Sequence, residues 1–412
     1  MGYRSSIEYL PLRFSLRFLI FTELLVWFGP IKYDIPNSPL LILYLLILNL
    51  SLYLGYRSGV RNFSPSKISL SIPLIQVVCV LGAFHVVLEL IHMWTSHGLS
   101  ISLSTIVNAI FNPGEAYHSS TMVNVESPAL LTLLSPFGAA VLPLGIFYWK
   151  KIPKSFRALI AFVILVELVS WLGIGTRKGI LDVFLIIVFL ALAANHQCIT
   201  NKRSYRKIKI AITLAVIVFV FYFVYSNVSR GGYELKDILY VDINSDIRSF
   251  YTQYCPFWLC IVLVSITSYL CQGYYALGLG LDLGILPLAP LGMSWFTMLI
   301  ASMFGYDPMP STYMAHLVEY GIDPKINWHT IYLWLANDVS FIGVPFLIYF
   351  IGKLFSITWC DTVAGKNYLA PITFSLMLIM VFYFFANNQV LSFSFIPFVL
   401  FLSIYLMTRI KI

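Results

Sequence analysis

The sequence predicts an all-α, polytopic membrane bundle of 10–12 transmembrane helices. Three observations carry this. Of the 412 residues, 59% are hydrophobic and 11% are charged, less than half the charged share of an ordinary soluble domain, about 25%. Apolar runs near the roughly 20 residues needed to cross a bilayer recur along the chain. Lys and Arg gather in alternate short loops, as the positive-inside rule demands. This composition excludes a soluble globular protein, a disordered chain and a nucleic-acid binder, which needs an exposed basic patch.

Ten stretches read as spans: 14–31, 39–56, 69–93, 129–149, 157–174, 179–195, 208–227, 329–352, 370–386 and 388–408. The region 256–301 is equally apolar but is interrupted by Gly273, Gly278, Gly280, Gly284, Pro287, Pro290 and Gly292. It reads as a broken or re-entrant segment, either two short spans or in-plane pieces. Irregular backbone at membrane depth needs protein or a water cavity around it. Nineteen of the 26 Lys and Arg fall on one side and seven on the other, which puts both termini in the cytoplasm. The outer, periplasmic loops are 94–128, 228–255 and 302–328, and the whole chain 1–412 reads as a single transmembrane domain. No cleavable signal pattern precedes the first span. The six Cys lie mostly in apolar runs without metal-ligand spacing, so neither a disulfide framework nor a zinc site is expected.

Outer cations run against the charge rule and therefore need a reason. Arg177 and Lys178 sit in Gly173-Ile174-Gly175-Thr176-Arg177-Lys178-Gly179, a tight turn between two spans. Glycines allow close backbone approach, and a helix start favours an anion. Arg230 follows a span in Ser226-Asn227-Val228-Ser229-Arg230-Gly231-Gly232, and Arg248 lies in Asp246-Ile247-Arg248-Ser249. A guanidinium fork takes two phosphate oxygens at once. The bland alternatives are a cation reaching lipid headgroups for Arg177 and a salt bridge to Asp242 or Asp246 for Arg248. Lys236 and Lys325 read as solvated loop charges.

His329 opens a late span, where it could act as a base or orient a hydroxyl. Asp338, inside the same span, carries an insertion cost of about 2.5–3.5 kcal/mol that calls for a partner or a pathway. His85, Glu89 and His92 share one face of the third span, a spacing that suits a metal, a proton relay or mutual satisfaction within a bundle. Glu23, Glu167 and Asp182 are further acids at membrane depth. Tyr and Trp at span ends read mainly as interface belts, with Tyr251, Tyr254 and Trp328 placed to stack on sugar rings.

This pattern resembles the bacterial oligosaccharide repeat-unit polymerases, the Wzy-type O-antigen and capsule polymerases, and more distantly the O-antigen ligases. The residues that carry the resemblance are Gly175-Thr176-Arg177-Lys178-Gly179, Ser229-Arg230-Gly231, Trp328-His329-Thr330-Ile331-Tyr332 and Asn337-Asp338-Val339-Ser340-Phe341-Ile342-Gly343. It covers about 160–350 in pattern and the rest in span layout. His329 matches the ligase-like His, with Thr330 where Asn is commoner.

The resemblance implies a GT-C-like, metal-independent glycosyltransferase of the inner membrane. Such an enzyme needs no cofactor. It would move a glycan from undecaprenyl pyrophosphate onto a new lipid-linked repeat unit at the periplasmic face. Arg177, Lys178, Arg230 and Arg248 would bind pyrophosphate, and His329 or Asp338 would take the acceptor's proton. The implied partners are the undecaprenyl-pyrophosphate-linked oligosaccharide, the lipid bilayer, a chain-length regulator and a flippase, and no nucleic acid. A lipid-linked oligosaccharide flippase and a ligase-like transferase stand as alternatives.

Overall fold

The computed structural model describes residues 7–96, 102–121, 128–195, 202–231, 245–286, 303–305, 307, 309–324, 327–387, 390–391 and 394–410. In chain order the main elements are α1 (Leu10–Phe28), β1 (Ile31–Tyr33), α2 (Ser38–Arg61), α3 (Ile72–Ser96), α4 (Leu103–Phe111), α5 (Pro113–Thr121), α6 (Ala129–Phe147), α7 (Lys154–Gly173) and α8 (Lys178–Ala194). They continue with α9 (Lys202–Gly231), β2 (Ser245–Ile247), α10 (Ser249–Tyr254), α11 (Phe257–Asp282), α12 (Tyr313–His316), α13 (Ile331–Ala364), α14 (Leu369–Phe382) and α15 (Phe395–Met407). The protein is all-α and multi-pass. Among the described residues, seven helices are long and apolar enough to cross a membrane.

The contacts divide the chain into two units: Met1–Phe63 with Tyr233–Ile357 and Met377–Phe395, and Ser64–Gly232 with Thr358–Leu376 and Ile396–Ile412. Where the sequence reads as one continuous domain, its halves interleave along the chain.

In the first unit α2 packs on α13 through small residues. Gly55 meets the Tyr349 backbone, Gly59 meets the Lys353 carbonyl, and Gly352 meets the Leu52 carbonyl. This spacing lets two apolar helices approach closely where no water drives them together. Phe18 stacks on Phe382 at 4.5 Å between ring centroids, and Tyr274, Tyr313, Tyr332, Phe384 and Phe385 fill the interior. The short strands β1 and β2 pair antiparallel, with Lys32 opposite Asp246.

One expectation is corrected here. The segment beginning at 256 is not broken by its first glycines: α11 is continuous through Gly273, Gly278 and Gly280. Each of these glycines faces protein. Gly273 abuts the Phe385 carbonyl and the Thr330 amide, Gly278 the Ile35 side chain and Gly280 the Leu333 side chain. Close packing offsets the roughly 1 kcal/mol that Gly costs in a helix interior. The second half of that segment, 287–301, lies outside the described residues.

α11 ends at Asp282, ahead of Gly284 at φ 75°, and a further break lies in α13. Ser340 in α13 has φ 57° and ψ 168°, a region close to glycine-only, which costs about 1–3 kcal/mol. Five residues on, Pro345 has no N–H for the Phe341 carbonyl. The Tyr44 hydroxyl donates to that carbonyl at 2.9 Å.

In the second unit α3 lies on α6 and α7, and α7 packs on α8. Trp359, Phe189 and Phe374 form an aromatic core, with Trp359 and Phe374 4.8 Å apart. Asp361, 1% exposed, accepts from the Ser66 amide at 3.0 Å, the Ser66 hydroxyl at 2.7 Å and the Tyr405 hydroxyl at 2.7 Å. Arg409 pairs with the same carboxylate and donates to the Ser64 carbonyl at 2.7 Å. Asn367 completes this staple through Ser66 and Thr408.

Candidate functional site

The turn between α7 and α8 is built by its own sequence. Gly175, at φ 65°, takes the left-handed conformation that ends α7, and its amide donates to the Leu172 carbonyl at 3.0 Å. Arg177 then caps the start of α8. Glu167 therefore stands on α7 and Arg177 beyond it, in the turn that leads into α8. Protein fills the space that the glycines leave open. Gly173 admits the Trp94 ring, Gly179 the Trp171 ring and Gly175 the Pro113 carbonyl at the start of α5. The close approach expected of a ligand is here made by two indoles and a loop.

Arg177 is 6% exposed. Its Nε donates to the Ser226 hydroxyl at 2.9 Å, its Nη1 donates to the Asn227 side-chain oxygen, and its guanidinium lies 4.9 Å from the Phe223 ring centre. Ser226 and Asn227 stand four and three residues before Arg230 on α9, so all three positions share one helix face. Ser229 in the same turn accepts from the Gly114 amide at 3.1 Å. The structure thus brings Arg177 to the helical turn that carries Arg230. The backbone of Arg230 lies within α9, and its side chain is outside the described residues.

Lys178 behaves differently. It pairs with Asp182 at 2.7 Å one turn along α8 and lies over the Trp171 ring. Its first task is to neutralise a carboxylate that would otherwise stand unbalanced at membrane depth.

Arg248, His329 and Asp338 belong to the first unit. The Arg248 amide donates to the Pro30 carbonyl at 2.7 Å and its Nε to the Gly29 carbonyl at 3.0 Å, which ties β2 to the end of α1. Asp242 lies outside the described residues, and among them Arg248 makes no salt bridge.

His329 lies two residues ahead of α13 and is 0% exposed. Its main chain is held: the amide donates to the Asn387 side-chain oxygen at 2.8 Å, and the Asn387 amide returns a bond to the His329 carbonyl. Trp334 donates to the same Asn387 oxygen at 3.4 Å. The imidazole is held more loosely: its ring nitrogens make no short hydrogen bond, and the Asn327 backbone bears on the ring.

Asp338, half-buried in α13, stands two residues before the break at Ser340. Its neighbour Asn337 accepts from the Tyr313 amide at 2.9 Å and donates to the Leu333 and Trp334 carbonyls, which anchors α12 on α13.

Sequence reasoning named Arg177 and His329 but missed what holds them. Ser226 and Asn227 stood in the quoted motif before Arg230 without a role. Asn387 was visible only as a polar residue interrupting the apolar run from 370 to 408. Comparison with family models, with curated proteins and with solved structures gives no match for this chain.

Proposed function

We propose that the protein is a polysaccharide polymerase. It transfers a growing undecaprenyl-pyrophosphate-linked glycan onto a new lipid-linked repeat unit at the periplasmic face of the inner membrane, with both termini cytoplasmic. The observation that carries the reading is the buried Arg177, seated on the helical turn of α9 that bears Arg230. Two guanidinium-bearing positions in one local structure suit a pyrophosphate leaving group, whose charge asks for fixed cations more than for covalent chemistry.

In this reaction the bond between the anomeric carbon and pyrophosphate breaks as the acceptor hydroxyl oxygen attacks that carbon. Pyrophosphate on the lipid leaves with the bonding electrons, and Arg177 and Arg230 stabilise it. The hydroxyl proton passes to a base, the part that the sequence reading gives to His329 or Asp338. Lys178, engaged with Asp182, and Arg248, engaged with Gly29, would act through the structure around them. The ten to twelve spans and the GT-C-like arrangement belong to this proposal, as does the absence of a cofactor.

Arg230→Ala at normal protein level should leave cells with single repeat units and no long chains. Long chains unchanged in that strain would remove Arg230 from the site.

A second reading is a flippase for the same lipid-linked oligosaccharide. The break at Ser340 favours it, because transporters bind at discontinuous helices. The same strain separates the two: flippase loss traps the repeat unit on the cytoplasmic side, whereas polymerase loss leaves it translocated and unextended.

A further inference from the structure

The membrane-spanning part of the second unit holds a group of ionisable side chains that glycosyl transfer does not use. His85 and Glu89 come from α3, Glu167 from α7, and Lys178 and Asp182 from α8. Glu167 stands within electrostatic reach of Glu89, Asp182 and Lys178. Three helices thus direct three carboxylates and one imidazole into one region. The packing of α3 on α7 and of α7 on α8 makes this convergence.

The group divides by partnership. Lys178 and Asp182 form a pair at 2.7 Å. Glu167 accepts a neutral hydrogen bond from Trp171 at 3.2 Å. His85 is 7% exposed, and its Nδ1 has no hydrogen-bond partner. That nitrogen faces Glu89 at 3.6 Å, too long for a hydrogen bond. The side chain of Glu89 is 54% exposed, so one end of the group opens to the surroundings while the other is enclosed. The other elements against α3 and α7 add no charge here: α4 and α6 carry no titratable residue, and Lys154 and Arg157 lie at the far end of α7 from Glu167. His92, one further turn along α3, is linked to Ser96 at 3.3 Å.

We infer that His85, Glu89 and Glu167 form an exchangeable proton-binding site, loaded and emptied through Glu89. Two neighbouring carboxylates at membrane depth, with the nearby lysine already paired, require a positive charge. A metal ion would need several ligands around it, and among the described residues no three His, Cys, Asp or Glu side chains are arranged to hold one. A proton needs no such shell. The gap between His85 and Glu89 is of the kind that one shared proton closes when the side chains move a few tenths of an ångström.

The test uses the full-length protein in nanodiscs and dicyclohexylcarbodiimide, an apolar reagent that attacks protonated carboxyls. The carboxyl O–H adds across one C=N bond to give an O-acylisourea, whose acyl group shifts to nitrogen as a stable N-acylurea. Mass mapping of peptides then locates the label. At pH 7, Glu89 should be labelled on the order of ten times more than Asp182 and Asp361, which are held by Lys178 and Arg409, and the label should fall as pH rises. Sodium at constant pH should leave it unchanged. Glu167→Gln removes a like charge, so the pH midpoint of Glu89 labelling should drop by about one unit, a tenfold loss of proton affinity. Glu89 labelled no more than Asp361 would overturn the site. Protection by sodium at fixed pH would assign it to a metal cation instead. An unmoved midpoint in Glu167→Gln would show that the carboxylates do not share the proton.

Discussion

The helix α13 has a buried ionisable residue near each end, and the two are treated in opposite ways. Asp361, three residues before its last residue, is surrounded by donors: an amide, two hydroxyls and a guanidinium. His329, two residues before its first, has a clamped backbone and a ring whose nitrogens make no short hydrogen bond. Leaving a buried polar atom without a close partner costs about 1–3 kcal/mol, so the two ends meet the same demand unequally. The Asp361 end is an anchor. The His329 end is positioned by its main chain while its chemistry stays open.

The strongest way to break this comparison is Asp361→Ala. It leaves Arg409, Tyr405 and Ser66 facing a buried void, and should lower stability by about 3–5 kcal/mol, read as a collapse of the thermal midpoint in detergent. Adding Arg409→Met should recover part of it. A single variant as stable as the parent would mean that the staple is ornamental.

At the other end, His329→Gln should do the reverse. Polymer formation should fall about 10²–10⁴-fold, as loss of a general base does, while the thermal midpoint moves far less than in Asp361→Ala. A His329→Gln variant that polymerises at the parent rate would remove His329 from the chemistry.

The smallest effect lies between the two ends. Ser340→Gly should relieve backbone strain and stabilise α13 by about 1 kcal/mol, whereas Ser340→Ala should not. Equal midpoints for the two variants would show that the backbone there is unstrained.

Much of the fold was legible because hydrophobicity and loop charge are local properties. Among the described residues the long apolar runs return as helices, and the turn at Gly175 is where the glycines put it. The candidate site was legible only in its cations and its histidine. Arg177 and Arg230 are 53 residues apart, and nothing local says that Arg177 seats on Ser226 and Asn227. Glycine misled in two respects: at 173, 175 and 179 protein fills the space it leaves, and in α11 it packs within a continuous helix.

By itself, then, the sequence determined a multi-pass helical membrane protein and where its long apolar helices run. Those follow from the cost of moving each residue type into lipid, which depends on neighbours along the chain. Only the tertiary structure decided that Lys178 belongs to Asp182, that Asp361 is an anchor, that α11 runs through its first glycines while α13 breaks at Ser340, and that Asn387 clamps the His329 main chain. Each of these depends on which distant side chain or backbone group fills the next few ångströms, and that is settled by packing.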